Sequence, residues 1–176
     1  MHANLSFKDS SSIHDDFIAT IFTSRLKTPL GPLEIVATES AVTTVRFIDE
    51  EADNSSIDNG ATKENALSIC AKQQLKEYFD KKRKHFDLPL SPLGTEFQQN
   101  VWKHLLKVEY GTTASYLDVA KAINKPKACR AVGAANGKNP IAIIVPCHRI
   151  IGASGMLTGY AGGLARKAYL LKLETL

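Results

Sequence analysis

Apolar positions along the chain shift from an alternating to a helical period, and the shift lays out the elements. The β-branched runs from Leu33 to Thr38 and from Ala41 to Phe47 predict two paired strands around a short turn at Glu39-Ser40. Strand-like character begins earlier, at Phe17, and takes in Ile18, Ile21 and Phe22 ahead of a turn at Thr28-Pro29-Leu30-Gly31-Pro32. Residues 49–62 are polar and irregular, with Asn59-Gly60 as a turn. Leu67, Cys70, Ala71, Gln74, Leu75 and Tyr78 then recur at helical spacing and predict a helix over about residues 63–80, with Cys70 on its apolar face.

Pro89, Pro92 and Gly94 mark a linker, and the pattern beyond it is mostly helical. Thr95 or Glu96 opens a helix whose apolar face is Phe97, Val101, Trp102, Leu105 and Leu106, with Gly111 as its end. Ser115 and Asp118 have capping-box spacing and open a short helix through Ile123. Pro126 suits the first turn of another helix, running to about Asn136 and closed by Gly137. Two short helices joined by a tight turn make a helix-turn-helix. The second of them is poor in bulk, which serves either close packing on a neighbouring helix or close approach to a DNA groove. Its isolated Arg130 favours DNA. Beyond Asn139-Pro140 the apolar run Ile141 to Val145 leads into Pro146-Cys147-His148-Arg149. The flanking prolines predict an extended segment through the core that presents Cys147 at the floor of a pocket.

A chain of 176 residues, 44% hydrophobic, holds one ordinary domain or two small ones. The expected organisation is a flexible tail over 1–16, an α/β scaffold domain over 17–90 and a second domain over 93–176. Ile141 to Val145 is far too short to span a bilayer, and the first twenty residues, interrupted by Asp15 and Asp16, lack a signal-peptide core. An intracellular protein is expected: cytoplasmic and nucleoid-associated, or nuclear if eukaryotic. Three cysteines argue against a disulfide framework, and no pair has Cys-x-x-Cys spacing.

Charge divides the chain. Residues 1–92 hold 11 Lys/Arg and 14 Asp/Glu, net −3, and residues 93–176 hold 11 Lys/Arg and 4 Asp/Glu, net +7. The basic second half points at a polyanion. The Lys81-Lys82-Arg83-Lys84 run reads instead as a solvated helix end that complements the helix dipole.

A cysteine nucleophile must become a thiolate, and a free thiol has a pKa near ~8.5 that histidine or positive charge lowers. His148, Arg149 and Lys167 are available. Adjacent side chains rarely face each other, so His148 would act on Cys147 through a turn or a bridging water. A base needs an orienting partner, and Glu174 fits by type. Cys70 and Cys129 read as small buried hydrophobes.

The string Ile144-Val145-Pro146-Cys147-His148-Arg149-Ile150-Ile151-Gly152 resembles the active-site signature of the O6-alkylguanine-DNA alkyltransferases, the methylated-DNA–protein-cysteine methyltransferases. Phe97 to Trp102, Ser115-Tyr116, Ala131 to Asn136, Asn139-Pro140, Gly159 to Gly163 and Lys167 to Glu174 follow the family's order. The resemblance is strong over about residues 93–176 and weak over 17–90, apart from Thr28-Pro29-Leu30-Gly31. In look it is nearest the bacterial single-function members. It implies a ribonuclease-H-like α/β domain followed by a helical, winged helix-turn-helix-like domain. It also implies one-shot transfer of an alkyl group from O6-alkylguanine in double-stranded DNA to Cys147 after base flipping, with O4-alkylthymine left open as a second substrate.

The resemblance assigns roles by position. Cys147 is the acceptor, His148 and Glu174 activate it through a chain that includes water, Asn139 braces the active-site segment, and Tyr116 assists the leaving guanine. Arg130 fills the space of the extruded base, with Lys127, Ala131, Gly133 and Tyr116 beside it at the DNA. Cys147 and Ile150 carbonyls, backbone near Ala161, Tyr160 and Lys167 form the base pocket. No cofactor and no metal are expected, since residues 1–92 hold a single cysteine, Cys70, with His2, His14 and His85. A monomer that binds no membrane is expected. Rival readings are a non-catalytic damage sensor, a helix-turn-helix DNA-binding protein and a thiol hydrolase, which turnover would separate.

Overall fold

A computed structural model describes residues 20–48 and 63–175. The expected tail over 1–16, the strand residues Phe17 and Ile18, and the stretch 49–62 with its Asn59-Gly60 turn lie outside the described residues. The chain divides between Pro92 and Leu93 into two compact units.

In the first unit, β1 (Phe22–Leu26), β2 (Leu33–Ala37) and β3 (Val42–Phe47) form an antiparallel sheet in that order. Register sets Phe22 opposite Ala37 and Leu33 opposite Phe47. Leu33, Ile35 and Ala37 alternate into the core, as a half-buried strand requires. Helix α1 (Ala66–Phe79) packs on the sheet through Ala71, Leu75 and Tyr78. It opens later than its apolar pattern because Asn65 caps it, accepting from the Ser68 amide at 2.8 Å in a reciprocal capping box. The inward stripe 71-75-78 leaves Cys70 outside it, so Cys70 is exposed rather than a buried hydrophobe. Lys81, Lys82 and Lys84 are exposed, and Arg83 turns back onto Glu77 at 2.7 Å, so the basic run is a solvated helix end.

The second unit opens with α2 (Glu96–Leu105), capped by Thr95 and Gln98. Val101, Trp102 and Leu105 are buried, whereas Phe97 and Leu106 are only half-buried. Trp102 donates its indole N–H to the Ala135 carbonyl at 2.9 Å and so ties α2 to the helix that carries Ala135. A Cβ at Gly94 would meet the Trp102 ring at 2.4 Å, which is why a glycine precedes this helix. Helix α2 stops at Leu105, short of Gly111. Gly111, at φ 75°, instead places its amide 3.1 Å from the Glu174 carboxylate.

The predicted Ser115–Asp118 capping box is present and opens α3 (Tyr116–Ala122). Helix α4 (Cys129–Gly137) begins three residues beyond Pro126, because Lys125 to Ala128 closes as a separate turn, Ala128 N–H to Lys125 carbonyl at 2.8 Å. The chain ends its described course in α5 (Leu164–Thr175), after a short parallel pair of β4 (Ala114–Ser115) with β5 (Ile150–Ile151). The mixed α/β sheet unit and the helical unit agree with the expected fold class.

The segment Ile141 to Val145 is buried but not extended. It coils through tight turns, with Ile144 N–H to Ala142 carbonyl at 2.8 Å, Val145 N–H to Ile141 carbonyl at 3.0 Å, and Ile143 at φ 70°. The Asn139 side chain braces this path, its amide adding a second donor to the Ile141 and Val145 carbonyls, which already accept from Val145 N–H and Cys147 N–H. Among the described residues, no helix is long and apolar enough to cross a membrane.

Candidate active site

Cys147 begins a single 3-10 turn, Cys147–Arg149, and is 5% exposed. Its Sγ accepts from Asn139 Nδ2 at 3.1 Å; the same amide reaches the carbonyls of Val145 at 2.8 Å and Ile141 at 3.3 Å. Burial pushes the Cys147 thiol up, and the Asn139 amide and the Lys167 charge oppose that rise without cancelling it. The resting group is therefore a thiol that needs a base.

His148 is completely buried, and its Nε2 lies 2.8 Å from Glu174 Oε1. Burial holds the imidazole below its ordinary pKa, although the hydrogen bond and charge of Glu174 act to raise it. The neutral ring then donates Nε2–H to the carboxylate, a tautomer inferred from this partner. That leaves Nδ1 as the acceptor, buried and without a protein partner.

Glu174 sits near the end of α5 and gathers more than the histidine. Arg149 donates Nε to Oε2 at 2.9 Å and Nη2 to Oε1 at 3.0 Å, and its Nη1 reaches the Val108 carbonyl at 2.6 Å. Burial alone would raise the Glu174 carboxyl, but the hydrogen bonds from His148 and Arg149, with their charge, hold it down to about 2. Arg149 is thus committed to Glu174 and not to the thiol, the sequence expectation for it notwithstanding. A forked guanidinium beside a buried carboxylate finds its best partner there.

Lys167 is buried on α5 and clasps the loop that follows β5, donating Nζ to the Ile150 carbonyl at 2.5 Å and the Thr158 carbonyl at 2.6 Å. The Thr158 carbonyl also accepts from the Tyr116 hydroxyl at 3.1 Å. Tyr116 faces two glycines: a Cβ at Gly133 would lie 3.7 Å from its ring, and one at Gly159 would lie 3.4 Å from its hydroxyl. Tyr160 closes another side, with a buried hydroxyl that has no protein partner. Burial raises the Tyr160 phenol, and the nearby Cys147 raises it further once ionised.

Residues 96–176 match the family described as 6-O-methylguanine DNA methyltransferase, DNA binding domain, and residues 21–92 match the ribonuclease-like domain of the same enzymes. A methylated-DNA–protein-cysteine methyltransferase of Methanosarcina mazei is 47% identical over 149 residues, spanning 85% of this chain and 94% of that protein. The constitutive Bacillus subtilis methylated-DNA–protein-cysteine methyltransferase is 47% identical over 151 residues, spanning 84% and 92%. This chain belongs to the methylated-DNA–protein-cysteine methyltransferase family. In three dimensions it resembles the crystal structure of Mycobacterium tuberculosis OGT in complex with DNA, at TM-score 0.76 and 46% identity over 88% of this chain and 92% of that one.

The methyltransferase signature residues thus fall in one neighbourhood: Cys147, His148, Glu174 and Asn139 at its centre, with Tyr116, Tyr160, Ile150 and Lys167 around the loop. Ala161 is exposed at the loop's far end. The carbonyls read as guanine acceptors already hold donors, Cys147 O from Asn136 Nδ2 at 3.3 Å and Ile150 O from Lys167, each with a second lone pair. Arg130, Lys127 and Ala131 are exposed and Gly133 half-buried on or just before α4. Cys129 is half-buried, with Sγ toward the Pro126 carbonyl, rather than fully in the core. Among the described residues no group of three or more His, Cys, Asp or Glu is placed to hold a metal.

Sequence reasoning missed Asn136. It is 2% exposed, shares the inner face of α4 with Val132 and Ala135, and bonds the Cys147 carbonyl. A lone amide on the buried face of an Ala/Val/Gly helix was the available signal. The Arg149–Glu174 pairing, 25 residues apart, left no local signal.

Proposed function

We infer that this methyltransferase repairs DNA by direct reversal, moving the alkyl group of O6-alkylguanine in duplex DNA irreversibly onto Cys147. The buried Cys147 beside a His148–Glu174 pair, with His148 Nδ1 left as an acceptor, carries the reading. A buried sulfur cannot reach an oxygen inside a stacked duplex, so the nucleotide must leave the stack, at a cost of a few kcal/mol. Helix α4, with small residues and exposed Arg130, enters the groove, and Arg130 fills the gap. Lys127, Ala131 and Gly133 lie against the DNA, whose phosphates supply most of the affinity.

His148 takes the thiol proton through a water and becomes an imidazolium held by Glu174. Asn139 steadies the sulfur. The sulfur lone pair displaces guanine at the alkyl carbon: an S–C bond forms, the C–O bond breaks, and the Tyr116 hydroxyl turns from Thr158 to the departing base. The displacement calls for no cofactor. The thioether has no route back, so each molecule acts once. Residues 93–176 carry DNA binding and transfer, and residues 17–90 serve as scaffold. The protein works as a monomer in the cytoplasm, on nucleoid DNA.

Peptide mass spectrometry after incubation with a duplex containing O6-methylguanine tests this. One methyl on Cys147, saturating at one per protein and absent in Cys147→Ala, is expected. Lesion-specific binding without methyl uptake would make the protein a damage sensor instead.

A further inference from the structure

Buried polar side-chain atoms nearly always find a partner. In the second unit, the buried side-chain polar atoms without a protein partner among the described residues are Asn136 Oδ1, His148 Nδ1 and Tyr160 Oη. All three belong to the surroundings of Cys147. Asn136 donates to its carbonyl, His148 is its neighbour, and the Tyr160 phenol is close enough for a Cys147 thiolate to raise it.

Two of these atoms are obligate acceptors. Asn136 uses its Nδ2 on Cys147, which fixes the amide so that Oδ1 is its only remaining group. His148 uses Nε2–H on Glu174, so Nδ1 can only accept. A water molecule carries two donors and typically makes about three hydrogen bonds when buried. Two buried acceptors, one on the residue that bonds the Cys147 carbonyl and one on the residue that follows Cys147, match that capacity.

We propose that Asn136 is a positioning residue for the transfer reaction, its Oδ1 and His148 Nδ1 together holding the water through which Cys147 loses its proton. With both water hydrogens committed, to Asn136 and to His148, the water can meet Cys147 S–H only as an acceptor, through one of its two lone pairs. Proton transfer then runs in one sense. The thiol proton moves to the water oxygen while the water's other proton moves to His148 Nδ1, leaving thiolate, water and an imidazolium paired with Glu174. Without Oδ1 the water is free to rotate, and its lone pair points at the thiol only part of the time. The charged or titratable groups facing this site are Glu174 and Lys167 from α5, Arg149 from the 3-10 turn and Tyr160 from the loop. None of them is altered by substituting Asn136. This role rests on the alkyl-transfer reading above.

The test is a double-mutant cycle on single-turnover transfer from an O6-methylguanine duplex, using Asn136→Leu and His148→Ala in the full chain, with DNA affinity and Tm recorded alongside. Asn136→Leu is expected to slow transfer about tenfold or more at unchanged DNA affinity, and to add nothing in the His148→Ala background. Slowing of the DNA-free reaction of Cys147 with iodoacetamide near neutral pH, recovered at high pH where hydroxide replaces the relay, accompanies it. If Asn136→Leu does not fold, Asn136→Ser takes its place in the same cycle. Equal slowing in both backgrounds marks a packing effect independent of His148 and overturns the proposal, as does an unchanged rate. An unsubstituted protein that accepts no methyl group defeats the transfer reading itself, whereas a competent one with a fully active Asn136→Leu variant defeats only the role of Asn136.

Discussion

His148 and Glu174 meet at 2.8 Å with their side chains 0% and 1% exposed, so the imidazole that must receive a proton stands against a carboxylate out of reach of solvent. Arg149 shares that carboxylate and keeps it ionised. The pair is therefore preset: His148 neutral, its acceptor nitrogen on the side away from Glu174.

Glu174→Gln removes the charge that balances a buried guanidinium as well as the acceptor that fixes the histidine tautomer. Stability is expected to drop by about 3 kcal/mol, seen as a lower urea midpoint, and transfer to slow more than about a hundredfold. The same residue governs acid stability. Its folded pKa of about 2 lies below the ordinary 4.5, so its contribution is fully present above pH 4.5 and is lost as pH falls toward 2. Thermal melts across that window should show a shallower slope for Glu174→Gln than for the parent, and equal slopes would remove Glu174 from the account.

His148 is held below 6.5 by burial, so the folded form resists a proton that the unfolded form takes up. Stability then declines as pH falls through 6.5, and a neutral base persists below that pH. Single-turnover transfer should stay level from about pH 8 to 6.5 and fail only in more acid solution. A midpoint above about pH 7 would contradict the buried, neutral imidazole.

Asn139→Ala leaves the carbonyls of Val145 and Ile141 without the amide they share, beneath a segment that already holds Ile143 at φ 70°. Both carbonyls keep a backbone donor, Val145 N–H on Ile141 and Cys147 N–H on Val145, so the expected loss is that of the side-chain hydrogen bonds, about 1 kcal/mol. Because the amide also holds the sulfur, the thiol pKa should rise further, read by the pH dependence of Cys147 alkylation with iodoacetamide. Asn139→Ala with unchanged Tm and unchanged thiol titration would show that the amide does neither.

Arg130 is exposed on α4, and its replacement by alanine should leave stability within about 0.5 kcal/mol of the parent. Transfer from duplex DNA should fall about tenfold or more, since a wedge offsets part of the flipping cost. Transfer from free O6-alkylguanine base, which needs no flipping, should be unaffected. Equal loss on both substrates would place Arg130 in the chemistry rather than in the duplex.

Several of these features stand in the sequence because their physics is local. The alternation through Leu33, Ile35 and Ala37, the Ser115–Asp118 cap and the Cys147-His148 signature each involve residues a few positions apart, which the chain order alone brings together. Helix limits shifted where a nearby side chain competed for backbone groups, as Asn65 did at α1, or where a separate turn formed, as at Lys125 to Ala128 before α4. Packing in three dimensions set the rest. It turned Cys70 outward although its spacing was helical, and it coiled Ile141 to Val145 around the Asn139 amide although its prolines suggested an extended path. It also gave Arg149 to Glu174 and buried the Asn136 amide beside Cys147. The order of residues thus establishes which groups are present and which short elements carry them. Which buried donors and acceptors face each other follows from the fold alone, because the cost of leaving a polar group unpaired is felt once water has been excluded from all sides of it.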